Sequence, residues 1–188
     1  MENLNQLEAA FLMWIQENVR TEVFNRIMPF LSYINTGGVL AIVTVIVLLL
    51  WRKYRHVGVT ALVSLSSEFI LVNVLIKNIV QRTRPYIANT ELLLLGDMPG
   101  DFSFPSGHTG SSFAVAVVMI LCMPKRYGVP AVVLSTLIAL SRLYNGAHYP
   151  TDVLGAFLIA VFTGVMSRKY IYPRISKRFL EGGNTDKE

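Results

Sequence analysis

The chain has 188 residues and a mass of 21.0 kDa, room for one domain. It is 53% hydrophobic and only 15% charged, with a mean hydropathy of +0.48, where a soluble domain carries about 25% charged residues. That content excludes a disordered chain, and the single cysteine, Cys122, excludes a disulfide scaffold. The net charge of +5 comes from basic residues clustered between long apolar runs, the pattern of a membrane protein and not of a nucleic-acid partner.

In chain order, the first 30 residues repeat Leu4, Leu7, Phe11, Leu12, Ile15 and Val19 at helical spacing, with Asn5, Glu8, Gln16 and Glu17 between them. This predicts an amphipathic helix lying in the membrane interface, with a sixth short span as the alternative. The acidic start and interrupted apolar core argue against a signal peptide. From Leu31 to Trp51 run 21 residues without a formal charge, a helix of roughly 30 Å and a bilayer's core. Arg52, Lys53 and Arg55 follow, and a second run, Val57 to Ile76, is interrupted by Glu68 and Asn73. The stretch from Lys77 to Phe104 is too polar and too rich in Pro and Gly to span. A third run goes from His108 to Met123, a fourth from Val129 to Leu143 with Pro130 in its first turn, and a fifth from Asp152 to Met166. The expected fold class is an all-α integral membrane bundle of about five spans with an N-terminal amphipathic helix. The expected organisation is an interfacial helix over 1–30, a transmembrane domain over 31–172 and a basic, polar cytoplasmic tail over 173–188.

Eleven of the 17 Lys and Arg fall in 52–55, 125–126 and after 167, which five alternating spans place on one side, the cytoplasm. Lys77, Arg82, Arg84 and Arg142 then lie outside, against the bias. Trp51 and Tyr54 fit an aromatic belt at the inner interface, and Ala156, Ala160 and Gly164 form a small-residue packing face.

The outer segments hold the chemistry: Lys77 to Arg84-Pro85, then Pro105-Ser106-Gly107-His108, then Ser141-Arg142 to His148 and Asp152. Lys77, Arg84 and Arg142 can surround a dianion, the arginine fork matching phosphate oxygens. Ser106 and the amides of Gly107 and His108 open a helix, where free N–H groups favour an anion. His148 and Asp152 are close enough in sequence for the carboxylate to hold the imidazole in one tautomer. Read singly, Asp152 and Ser106 also fit helix caps, and Lys77 and Arg142 also fit residues snorkelling from span ends. Asn73, one turn before Lys77, can orient that lysine. Arg82 is expected to touch only headgroups. Glu68, roughly 13 Å before Lys77 along a helix, is expected to pack, out of reach of phosphate.

The three segments read Lys-x6-Arg-Pro, Pro-Ser-Gly-His and Ser-Arg-x5-His-x3-Asp. In this they resemble the type 2 phosphatidic acid phosphatase superfamily, over 77–152 by motif. The resemblance implies a phosphohistidine mechanism: His148 as nucleophile, Asp152 orienting it, His108 as general acid and base. It also implies that Lys77, Arg84, Ser106, Gly107 and Arg142 bind the phosphoryl group, with no metal and no other cofactor. The expected substrate is a lipid phosphate or diphosphate, such as undecaprenyl diphosphate, phosphatidylglycerophosphate or phosphatidic acid, presented at the outer leaflet. A phosphotransferase using the same intermediate, and a non-enzymatic lipid-phosphate binder or transporter, are the alternatives at this level. Membrane lipids are the expected surroundings, nucleic acid is not an expected partner, and the sequence leaves the oligomeric state open.

Overall fold

A computed structural model describes residues 2–182, and among these residues the secondary structure is helical without a strand. The helices are α1 (Glu2–Asn18), α2 (Phe24–Tyr33), α3 (Val39–Leu50), α4 (Arg55–Phe69), α5 (Lys77–Val80), α6 (Pro85–Ala88), α7 (Gly107–Cys122), α8 (Lys125–Tyr144), α9 (Pro150–Tyr170) and α10 (Tyr172–Gly182). Four helical stretches, 24–50, 52–88, 125–144 and 150–170, are long and apolar enough to cross a membrane, and α7 is a shorter apolar helix. The expected tail over 173–188 is helical as far as α10 reaches, and residues 183–188 lie outside the described residues.

α7 is the axis of the bundle, packed against α4, α8 and α9. Ten consecutive residues, Thr109 to Val118, are buried, as expected of a helix enclosed on all sides. Small side chains allow the close packing: Gly128 of α8 lies so near Ile120 that a Cβ there would sit 2.5 Å from its Cα. The Ser64 hydroxyl of α4 donates to the Ala114 carbonyl at 2.9 Å, an interhelical bond in an apolar interior. On the outer face of α9, Leu154, Leu158, Phe162 and Val165 stand exposed at helical spacing, as a lipid-facing stripe requires.

The structure departs from the hydropathy pattern at four places. The first apolar run is two helices: α2 begins at Phe24, ahead of Leu31, and a 3-10 turn at Thr36–Gly38 separates it from α3. Gly37 and Gly38 there have φ of 63° and 74°, a left-handed geometry that glycine adopts without steric cost. α8 starts at Lys125, because the polar pair after Pro124 already forms its first turn, so Pro130 lies inside the helix. Tyr54 is buried, in edge-to-face contact with Trp51 and Tyr127, while Trp51 stays exposed. Finally, Ile70–Ile76 is a π-helical turn joining α4 to α5.

The π turn bears directly on function. Residues nine apart in an uninterrupted α-helix point about 180° away from one another. An i→i+5 pattern turns less per residue, and it brings Lys77 round to the side of Glu68.

Because backbone atoms of α7 stand against Gly128, Gly128→Ala must push α7 and α8 apart. The expected cost is about 1–3 kcal/mol, read as a lowered thermal midpoint in detergent.

Candidate active site

At one end of α7, a cavity of about 510 Å³ is lined by Asn73, Lys77, Arg84, Asp101, Gly107, His108, Arg142 and His148. Another wall is apolar, with Ile42, Leu62, Leu65, Phe69 and Ile70. Ile42, Leu62, Phe69 and Ile70 are also exposed on the outside of the bundle, so the cavity reaches the lipid-facing surface.

Six of the eight residues named from the motifs line this cavity: Lys77, Arg84, Gly107, His108, Arg142 and His148. Asp152 stands behind His148, and Ser106 is fully buried beside the cavity, its hydroxyl accepting from Thr109 Oγ1 at 3.1 Å. Each position follows from a local feature. Gly107 and His108 open α7, with free N–H groups at its start. Gly107 lies against Asn73, where a Cβ would be 3.1 Å from Oδ1. Arg142 is in the last turn of α8, and His148 is in the loop before α9, which starts at Pro150. Asn35, from the bend between α2 and α3, donates to the His108 carbonyl at 3.0 Å and fixes the start of α7.

His148 has a polar neighbour on each side, though its Nδ1 makes no hydrogen bond of good geometry. Its Nε2 faces Arg84 Nη1 at 3.2 Å, and its Nδ1 lies 3.5 Å from Asp152 Oδ2. A guanidinium can only donate, so Nε2 carries the lone pair and the ring proton sits on Nδ1, toward the carboxylate. Burial, with help from Arg142 and Arg84, pushes the imidazole down to about 3 against the upward pull of Asp152. Around neutral pH it is an unprotonated imidazole beside a group of cations.

The cations are unequally engaged. Lys77 Nζ donates to Asn73 Oδ1 at 3.4 Å and pairs with Asp101 Oδ2 at 2.5 Å. Arg84 pairs with Asp101 Oδ1 at 2.5 Å and donates to the Ala147 carbonyl at 2.9 Å. Arg142 donates from Nη1 to Ser32 Oγ, while its buried Nε and Nη2 have no protein partner, and neither has His108 Nε2. Unsatisfied buried donors in a cavity call for a ligand with several acceptor oxygens. Among the described residues, no three His, Cys, Asp or Glu side chains group as a metal-ligand set.

Four residues carry weight that the motifs did not assign them. Arg82 does not reach out to headgroups. It is largely buried, stacks 3.9 Å over the Tyr149 ring, and donates to Asp152 Oδ1 at 2.6 Å and Thr151 Oγ1 at 2.7 Å. Its other nitrogen binds Glu8 Oε2 and Asn5 Oδ1, each at 2.5 Å. Glu8 also accepts from the Thr151 amide at 2.6 Å. The amphipathic α1 thus turns Glu8, Leu12 and Ile15 inward and leaves Leu4, Leu7, Phe11 and Trp14 exposed. Glu68, expected to be remote, lines the same cavity, with neither carboxyl oxygen hydrogen-bonded and Gly110 leaving room for it. Asp101 is the fourth. The legible signals were a basic residue defying the charge bias for Arg82 and a mid-span acid for Glu68. Glu8 and Asp101 stand out only once the fold is known.

A family model described as the PAP2 superfamily matches residues 56–176. The chain belongs to the PAP2 superfamily. It is 31% identical over 143 residues to an undecaprenyl-diphosphatase of Sulfolobus acidocaldarius, covering 76% of this chain and 68% of that protein. It is 30% identical over 152 residues to the undecaprenyl-diphosphatase BcrC of Bacillus subtilis, covering 77% and 73%. The crystal structure of Aquifex aeolicus LpxE superposes with a TM-score of 0.74 at 27% identity, over 86% of this chain and 94% of that one. This PAP2 chain is a multi-pass membrane enzyme and a lipid phosphatase, a hydrolase of lipid phosphate esters. The sequence-level alternative of a non-enzymatic binder is thereby set aside.

The clamp on Asp152 makes Arg82 a positioning residue. Arg82→Ala is expected to lower kcat about 10–100-fold while leaving KM nearly unchanged, with Arg82→Lys recovering part of the loss. Steady-state kinetics alongside a thermal midpoint check it, since simple unfolding would lower the active fraction and the midpoint together.

Proposed function

We propose that this phosphatase cleaves the terminal phosphate of a lipid phosphate or diphosphate at the extracytoplasmic leaflet through a phosphohistidine on His148. The observation that carries the reading is His148 Nε2, 3.2 Å from Arg84 Nη1 in a cavity lined by three buried cations and an apolar wall. The phosphoryl group binds Lys77, Arg84, Arg142 and the amides at Gly107 and His108, where charge stabilisation is worth most. Ser106, whose hydroxyl accepts from Thr109 Oγ1 at 3.1 Å, completes the phosphate-binding set at the start of α7.

Nε2 attacks phosphorus as the bond to the leaving oxygen breaks, and His108 gives that oxygen its proton. Asp152 holds the Nδ1 proton and balances the imidazolium that forms. His108 then takes a proton from water, the water oxygen bonds to phosphorus, and the P–N bond breaks to release inorganic phosphate. Fixed cations do the work that a metal ion performs in other phosphatases. The basic clusters at 52–55, 125–126 and after 167 support a cytoplasmic position for the opposite end of the bundle. The two undecaprenyl-diphosphatase relatives support a polyprenyl diphosphate as the preferred substrate class.

Phosphate release should be abolished in His148→Ala. In His108→Ala, an aryl phosphate, whose departure needs little help from a proton, should leave an acid-labile phosphoenzyme that mass spectrometry maps to His148. Near-normal turnover by His148→Ala would exclude the mechanism.

A second expectation follows from the depressed basicity of His148. A group held at about 3 stays neutral from pH 5 to 8, so protonation of the nucleophile does not produce an acid limb in that window. The acid limb of kcat/KM should instead follow protonation of the substrate phosphate. It should shift between two phosphate esters of different acidity. A limb fixed for both would place its origin in the enzyme.

A further inference from the structure

Asp101 enters the cavity from the loop between α6 and α7 and grips two of its three cations. Its Oδ2 lies 2.5 Å from Lys77 Nζ, its Oδ1 lies 2.5 Å from Arg84 Nη2, and its carbonyl accepts from Arg84 Nε at 2.8 Å. Two oxygens on one carbon, each on a separate cation, reproduce the way two phosphoryl oxygens would be held. The cations' side chains are 6% and 3% exposed, whereas the Asp101 side chain is 52% exposed. The carboxylate therefore closes the site from the solvent side and can withdraw without disturbing packed core. Burial works to raise its pKa, but the hydrogen bonds and charges of Lys77 and Arg84 outweigh this and hold it down at about 2. It is an anion across the working pH range.

We propose that the Asp101 carboxylate is a tethered stand-in for substrate, occupying the phosphoryl-oxygen positions on Lys77 and Arg84 until an incoming phosphate displaces it. The proposal rests on the reading of this cavity as the phosphate site. It has two physical consequences. In the empty enzyme, Asp101 offsets the repulsion among Lys77, Arg84 and Arg142. In the working enzyme, it weakens every oxyanion by one common factor, because each ligand must displace the same carboxylate from the same two cations. Substrate and inorganic phosphate are affected alike. Phosphate product is thus released into competition with a carboxylate that never diffuses away, and the site is cleared for the next lipid.

The equality of the factor is the test. Purified wild type, Asp101→Asn and Asp101→Ala are titrated with inorganic phosphate and with orthovanadate by calorimetry in detergent, and the KM for a lipid phosphate is measured in parallel. Expected in both variants is a lower Kd for phosphate and for vanadate by a single factor of about 10, as for losing a competitor worth about 1.4 kcal/mol. KM falls with them, kcat does not rise, and inhibition by phosphate strengthens. The ligand-free thermal midpoint falls while the rise on adding phosphate grows, and Asp101→Glu, which keeps the charge, lies nearer wild type. Weaker or unchanged Kd values in Asp101→Asn would show that Asp101 positions the cations instead and would overturn the proposal. So would tightening for one oxyanion and not the other. Absence of phosphate and vanadate binding in folded wild type and variants alike would overturn the cavity as the phosphate site, and the proposal with it. Normal wild-type binding with no gain on substitution would overturn the Asp101 role alone.

Discussion

A carboxylate without solvent must have its charge answered by the protein, and Asp152 shows how much of this fold is arranged to do that. Its oxygens receive Arg82 Nη1 at 2.6 Å, Ser103 Oγ at 2.5 Å and the Tyr149 amide at 2.9 Å, with His148 Nδ1 at 3.5 Å. These donors come from the segment after α5, the loop before α7 and the turn before α9. Through Glu8 and Asn5, α1 is held to the same point. Segments distant in sequence meet at one buried charge. His148 lies against that charge, its Nδ1 3.5 Å from Asp152 Oδ2.

The neighbouring cavity follows the opposite rule. Where Asp152 is saturated, Arg142 and His108 keep polar nitrogens that no protein atom satisfies. Lys77 and Arg84 are paired with an exposed partner that is free to leave. A support is rigid when its hydrogen bonds are complete, and a binding site is ready when they are not. The two conditions stand side by side in this molecule, separated by the imidazole ring of His148.

Much of this was legible from residues in order. The apolar runs located the helices, and the motif residues Lys77, Arg84, His108, Arg142 and His148 do converge on one cavity. What escaped was of two kinds. The rise of a regular α-helix puts Glu68 roughly 13 Å from Lys77, and a π turn between them is invisible in the sequence, yet both line the cavity. Hydropathy also assumes that polar residues face water, and Glu8 breaks the assumption by pairing with a guanidinium inside the protein. Arg82 and Glu8 lie 74 positions apart, and no local pattern relates them. Long-range charge pairing becomes visible only in three dimensions.

The apolar wall that reaches the outside of the bundle at Ile42, Leu62, Phe69 and Ile70 also sets the units in which this enzyme counts its substrate. A lipid arriving through that wall travels by diffusion in a sheet and never dissolves in water. The quantity that fills the site is its mole fraction in one leaflet, not its bulk molarity. Adding inert lipid or detergent at constant total substrate therefore slows the reaction by dilution within the surface. Where the substrate's mole fraction lies below that which half-fills the site, flux rises and falls in proportion to the supply of phosphorylated lipid.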